Sequence, residues 1–90
     1  MAFFCYTTPM PIPSFWKTVD NKLVREFGFA TFMDAIDFID RVAAIADGMH
    51  HHPEIWNSYD QVRLTLSTHD AGDMVTDRDR ELATEIDKLI

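Results

Sequence analysis

The chain has 90 residues, room for one domain, and 47% of them are apolar, so a packed core is expected and disorder is not. Acidic residues outnumber basic ones 15 to 8, and the net charge of −7 repels a phosphate backbone, which argues against a nucleic-acid partner. The one cysteine, Cys5, excludes an internal disulfide, and no apolar run reaches the length of a membrane span.

Residues 1–13 hold Pro9, Pro11 and Pro13, a spacing that forbids a helix and predicts an extended arm. The segment Met1 to Tyr6 is apolar but lacks the basic start and small-residue cleavage site of a signal peptide, so the cytoplasm is the expected compartment. Residues 14–90 then form a single domain. Two strands are predicted over 14–20 and 22–29, joined by the turn residues Asp20-Asn21. In the second, Leu23, Arg25, Phe27 and Phe29 share a mostly apolar face. A helix is predicted over 31–47, opened by Thr31 with Asp34 three residues later. Its apolar stripe reads as Phe32, Ile36, Ile39, Ala43 and Ala46, with Gly48 placed to end it.

Strands follow over 54–58 and 60–68. In the longer one Val62, Leu64 and Leu66 alternate with Arg63, Thr65 and Ser67, the pattern of one buried and one polar face. His69 falls on the polar parity at its end. After a loop with Ala71-Gly72, a last helix is predicted over 77–89, capped by Thr76 with Asp79 and striped by Leu82, Ile86 and Leu89. The order implies an α+β domain: a four-stranded antiparallel sheet with helices packed on one face. So small a domain buries a modest share of its surface, and a homo-oligomer is expected.

The chemistry concentrates in four histidines. His50, His51 and His52 follow a helix C-terminus and His69 ends a strand. Imidazole exchanges protons near neutral pH, which suits acid–base work. Asp47 sits in the last helical turn, the unfavourable end of the helix dipole for an acid, so helix stability does not explain it. The ordinary readings are solvated loop histidines, a routine cap for Asp79 and a backbone-bonded hydroxyl for Thr68. A metal site using His50, His52 and His69 is the weaker reading, because three consecutive imidazoles cannot all face one ion and no thiolate is near.

Asp47-Gly48-Met49-His50-His51-His52-Pro53 places an acid ahead of His-His-Pro with three residues between, and Tyr59 follows after five more residues. His69 lies seventeen beyond His52 within Leu66-Ser67-Thr68-His69-Asp70-Ala71-Gly72, and Asp79 closes Thr76-Asp77-Arg78-Asp79. This arrangement, with Phe27-Gly28-Phe29 and the helix after it, resembles the pterin-4a-carbinolamine dehydratase family over about residues 16–90. The family usually begins with a helix before its first strand; here the Pro-rich arm stands instead. The loop between His69 and Asp79 is one residue longer than is common, Asp47 stands where glutamate is frequent, and His50 replaces a different residue.

The resemblance implies dehydration of 4a-hydroxytetrahydrobiopterin to quinonoid dihydropterin, with no metal or other cofactor. It implies His51, His52 and His69 as the acid–base set, and substrate contacts at His51, His52, Pro53, Thr68, His69, Asp70 and Ala71. Asp47 and Asp79 would support the histidines. It also implies a homo-oligomer, dimer or tetramer, and leaves a second role as dimerisation cofactor of a transcription factor in the nucleus.

Overall fold

The computed structural model describes residues 15–90. The arm expected over 1–13, and with it the expected lack of a helix there, lies outside the described residues. The order is β1 (Lys17–Val19), β2 (Lys22–Gly28), α1 (Phe32–Gly48), β3 (Glu54–Ser58), β4 (Gln61–Leu66), a 3₁₀ turn (His69–Ala71) and α2 (Asp77–Asp87). The strands form one antiparallel sheet in the order β1-β2-β4-β3. This is the α+β architecture that the sequence predicts. Among the described residues no helix is long and apolar enough to cross a membrane.

The first hairpin turns on Asp20 and Asn21, both in the left-handed region at φ 51° and 64°, a conformation these two residue types tolerate better than most. Alternation then decides the faces. Leu23 and Phe27 of β2 and Val62, Leu64 and Leu66 of β4 are buried, and the register sets Leu23 beside Leu66 and Phe27 beside Val62. Arg25 shares that parity yet carries charge. Its guanidinium lies over the Phe27 ring and bonds Asp87 of α2, Nη1 to Oδ1 at 2.6 Å. Trp16 Nε1 donates to the same oxygen at 2.9 Å. Arg25 therefore caps the edge of the core instead of entering it.

Both helices lay buried residues against this core: Ala35, Phe38, Val42 and Ala46 from α1, and Leu82, Ala83 and Ile86 from α2. Of the stripe expected on α1, Ala46 is buried and Ile39 packs on the core, but the rest is displaced by one residue, to Ala35, Phe38 and Val42. Phe32 is exposed, as is Ala43, and Ile36 is half-buried. Asp34, Asp37, Asp40, Arg41 and Asp47 fall outside both sets, so two overlapping apolar stripes fit the same period. Phe38 selects between them, its ring 4.7 Å from Phe27 and 5.0 Å from Phe29.

Some boundaries also move. In the described part of the expected 14–20 strand only Lys17–Val19 is paired, β4 stops at Leu66, and α2 ends at Asp87. Thr31 caps α1 as expected, its Oγ1 accepting from the Asp34 N–H at 3.1 Å.

Candidate active site

Three segments converge at one end of the sheet: the chain leaving α1, the chain leaving β4, and the start of α2. The first is shaped by how α1 ends. Gly48 does not stop the helix as expected; it is the last helical residue, and Met49 is the C-cap. The left-handed position belongs to His50, at φ 53°. The His50 N–H donates to the Asp47 carbonyl and the His51 N–H to the Ala46 carbonyl, each at 3.1 Å. These are the paired bonds of a Schellman ending. They fix the backbone of His51 against the helix.

His51 points inward. Its side chain is 8% exposed and its Nε2 lies 2.5 Å from Asp79 Oδ1, while Asp79 is 0% exposed. Asp79 Oδ2 accepts from Thr68 Oγ1 at 2.8 Å and from the Thr76 N–H at 2.9 Å. The Thr68 and Thr76 hydroxyls are 2.6 Å apart. One carboxylate therefore caps α2 and also holds a histidine 28 positions away in sequence. Among the described residues no buried side-chain polar atom lacks a partner, so the network meets the requirement that buried polar groups be satisfied.

His52 and His69 are held differently. The His52 side chain is 70% exposed, with Nε2 3.3 Å from Asp47 Oδ1. That of His69 is 92% exposed, with Nδ1 2.6 Å from Asp73 Oδ1. His69 does not continue the polar parity of β4. The strand has ended, Thr68 bridges to Met74, and His69 opens the 3₁₀ turn. His50 contributes its carbonyl, which accepts from Arg78 Nη2 at 2.7 Å.

These residues surround a cavity of about 330 Å³, lined by His50, His51 and His52, by Ser67 to Asp70, and by Arg78. A second cavity of about 520 Å³ shares His52, Ser67 and His69 and runs along the open sheet face past Pro53, Glu54, Thr65, Lys22 and Asp73. Both volumes suit a small organic ligand. Of the residues expected at the site, His51, His52, Thr68, His69 and Asp70 line the first cavity and Pro53 the second. Ala71 lines neither; its N–H donates to the Thr68 carbonyl at 3.1 Å. Asp47 reaches the site through His52, and Asp79 lies behind His51 and Thr68. Among the described residues no group of three or more His, Cys, Asp or Glu side chains could hold a metal ion.

Sequence reasoning passed over Ser67, Arg78, Lys22 and Asp73. Ser67 could have been found from its parity with Thr65. Arg78 gave no signal, because its partner is a backbone carbonyl 28 residues away.

The family profile described as Pterin 4 alpha carbinolamine dehydratase matches residues 8–89. The chain belongs to this family. A pterin-4-alpha-carbinolamine dehydratase, provisionally so named, from a Picosynechococcus species is 45% identical over 74 residues, 82% of this chain and 79% of that one. Another from Sulfurisphaera tokodaii is 43% identical over 75 residues, 83% and 80% of the two chains. The crystal structure of a transcriptional coactivator/pterin dehydratase from Brucella melitensis superposes with a TM-score of 0.77 at 34% identity, covering 83% of this chain and 81% of that one. A pterin dehydratase-like protein identified as a RuBisCO assembly factor in the alpha-carboxysome shares the fold, with a TM-score of 0.67 at 23% identity over 82% of this chain and 84% of that one. The dehydratase fold thus also serves a protein described by assembly and not by catalysis.

Proposed function

We propose that this chain dehydrates 4a-hydroxytetrahydrobiopterin to quinonoid dihydropterin and water, in tetrahydrobiopterin recycling. The observation that carries the reading is the convergence of His51, His52 and His69 on one cavity in a member of the dehydratase family. The N5 lone pair of the substrate forms the N5–C4a double bond as the C4a–oxygen bond breaks. An acid protonates the departing hydroxyl and a base takes the N5 proton, so one water leaves and no electrons are exchanged with a second reactant. His52 and His69 are the acid–base pair in this reading. Each is exposed: His52 bonds Asp47 through Nε2 and His69 has Nδ1 2.6 Å from Asp73 Oδ1, so each has another ring nitrogen for substrate. His51 has Nε2 committed to Asp79 and shapes the wall that receives the pterin. Pro53, Thr68 and Asp70 complete the contacts, with backbone groups addressing the ring; Ala71, which lines neither cavity, is left out of the set. Acid–base groups of this kind typically supply about 10²–10⁴-fold each.

The test is the rate of 4a-hydroxytetrahydropterin dehydration with wild type beside a His52→Ala, His69→Ala double variant. Strong acceleration by wild type and background rates for the folded variant are expected; a folded wild type without acceleration would sink the reading.

A second reading, as a non-catalytic dimerisation cofactor of a transcription factor, draws on the description of the Brucella protein and on the exposed Phe32, Met33, Ile55 and Trp56. We favour the same surfaces for a homo-oligomer, dimer or tetramer, since a domain this small gains much from covering them. Light scattering on the chain alone decides: a monomer at micromolar concentration contradicts the oligomer. The cytoplasm suits the proposed reaction, and the nucleus suits the second reading.

A further inference from the structure

The chain holds five arginines. Four pair with a carboxylate: Arg25 with Asp87, Arg41 with Asp37, Arg63 with Glu26 and Arg80 with Asp77. Arg78 pairs with none among the described residues, although an aspartate stands on either side of it in sequence. Asp77 is taken by Arg80, and Asp79 by His51 and Thr68. Arg78 instead donates from Nη2 to the His50 carbonyl, at 2.7 Å. That carbonyl belongs to the segment leaving α1, whose next residue, His51, bonds Asp79, the next residue of α2. The guanidinium is therefore moored at one corner, and the residue lines the cavity of His51, His52 and His69. A guanidinium carries five N–H donors in a planar fork, and the bond to His50 uses one. Asp70 lines the same cavity and supplies a carboxylate acceptor.

A charged donor fork and a carboxylate in one cavity match a ligand edge that sets a carbonyl oxygen beside N–H groups. The pyrimidinone edge of a pterin has this pattern: O4 accepts, and N3–H and the 2-amino group donate. We propose that Arg78 is a recognition residue for that edge, its guanidinium donating to O4 while Asp70 accepts from N3–H and the 2-amino group. The proposal rests on the pterin part of the dehydratase reading. The contact is made alike before and during the loss of water, so it acts on binding and not on the chemical step.

Fluorescence titration tests it with two ligands: pterin, which has an oxo group at C4, and 2,4-diaminopteridine, which has an amino group there. At mildly alkaline pH the diamino compound is neutral, and it presents a donor at C4 and an acceptor at N3. Wild type should bind pterin about tenfold tighter, the worth of a hydrogen bond to a charged group. Arg78→Met should remove that preference by weakening pterin alone, and Arg78→Lys, which keeps a charged donor, should restore part of it. In the dehydration assay Arg78→Met should raise KM about tenfold at nearly unchanged kcat. Equal weakening of both ligands would mean that Arg78 acts only through the His50 carbonyl, and overturns the proposal. So does a fall in kcat at unchanged KM. The wild-type comparison needs no variant: dehydration without a preference for the oxo ligand sinks the recognition alone. A preference without dehydration sinks the catalytic reading and leaves the recognition standing, and binding of neither ligand sinks both.

Discussion

His51 and His69 border the same cavity, and each lies beside an aspartate, but their surroundings are opposite. Around His51 the bond is buried, Asp79 has further donors in Thr68 and the Thr76 N–H, and the backbone is pinned by the end of α1. Around His69 the ion-pair contact stands in solvent, and Asp73 is a left-handed loop residue. Burial makes the first pair costly to break, since losing one partner strands the others. Exposure makes the second cheap in stability and leaves its imidazole open to a ligand. The difference separates construction from chemistry: Asp79 and His51 hold the three segments together, and in the proposed reaction His52 and His69 meet the substrate.

The largest effect expected from this division is on rate. His52→Ala and His69→Ala should each slow dehydration by about 10²–10⁴-fold while moving the unfolding free energy by no more than about 0.5 kcal/mol. Stopped-flow kinetics and urea titration on the same samples check both halves. A large loss of stability in either variant would erase the distinction drawn here.

Asp79→Ala should do the reverse. It strands the His51 ring, the Thr68 hydroxyl and the Thr76 N–H in the interior, at a cost of about 3–5 kcal/mol. Domains of this size have about 5–15 kcal/mol in total, so the urea midpoint should fall steeply. A midpoint close to wild type would mean that the network is not what joins the segments.

Smaller effects sharpen the picture at the rim. His50→Gly should raise stability by about 1 kcal/mol, because glycine suits the left-handed position that ends α1; thermal unfolding reads it, and a lower Tm would contradict the helix ending described. Asp47→Ala should raise stability by about 0.3 kcal/mol, since it removes an acid from a helix C-terminus. It should also slow dehydration, because Asp47 partners His52. A stability gain with no change in rate would leave Asp47 without a function.

Local rules made much of this molecule readable. The Asp20-Asn21 turn, the alternation of β4 and the Thr31 and Thr76 caps each depend on neighbours within a few residues. They came out as read, and with them the sheet. Three features depend on partners that spacing does not reveal. The buried face of α1 was set by Phe38 meeting Phe27 and Phe29 across the core. The helix stop passed over Gly48 to His50, because the bonds from His50 and His51 back into α1 decide it. Asp79 read correctly as a cap, but its hold on His51 needed the fold to bring residues 28 apart together. The site was legible chiefly through its resemblance to a family. The contact of Arg78 with the His50 carbonyl, and the place of Asp73 beside His69, became visible only in three dimensions.

The bonds to Asp87 bear on how the chain comes to be folded at all. Trp16 and Arg25 find their shared acceptor 71 and 62 residues further along. A ribosome releases them long before that carboxylate exists. Until α2 emerges, the first hairpin carries a guanidinium and an indole N–H without their final partner. Closing so long a loop is rewarded only after its entropy has been spent, so the latch belongs to the last stage of folding. Loss of the Asp87 carboxylate would accordingly hasten unfolding and leave the folding rate almost untouched.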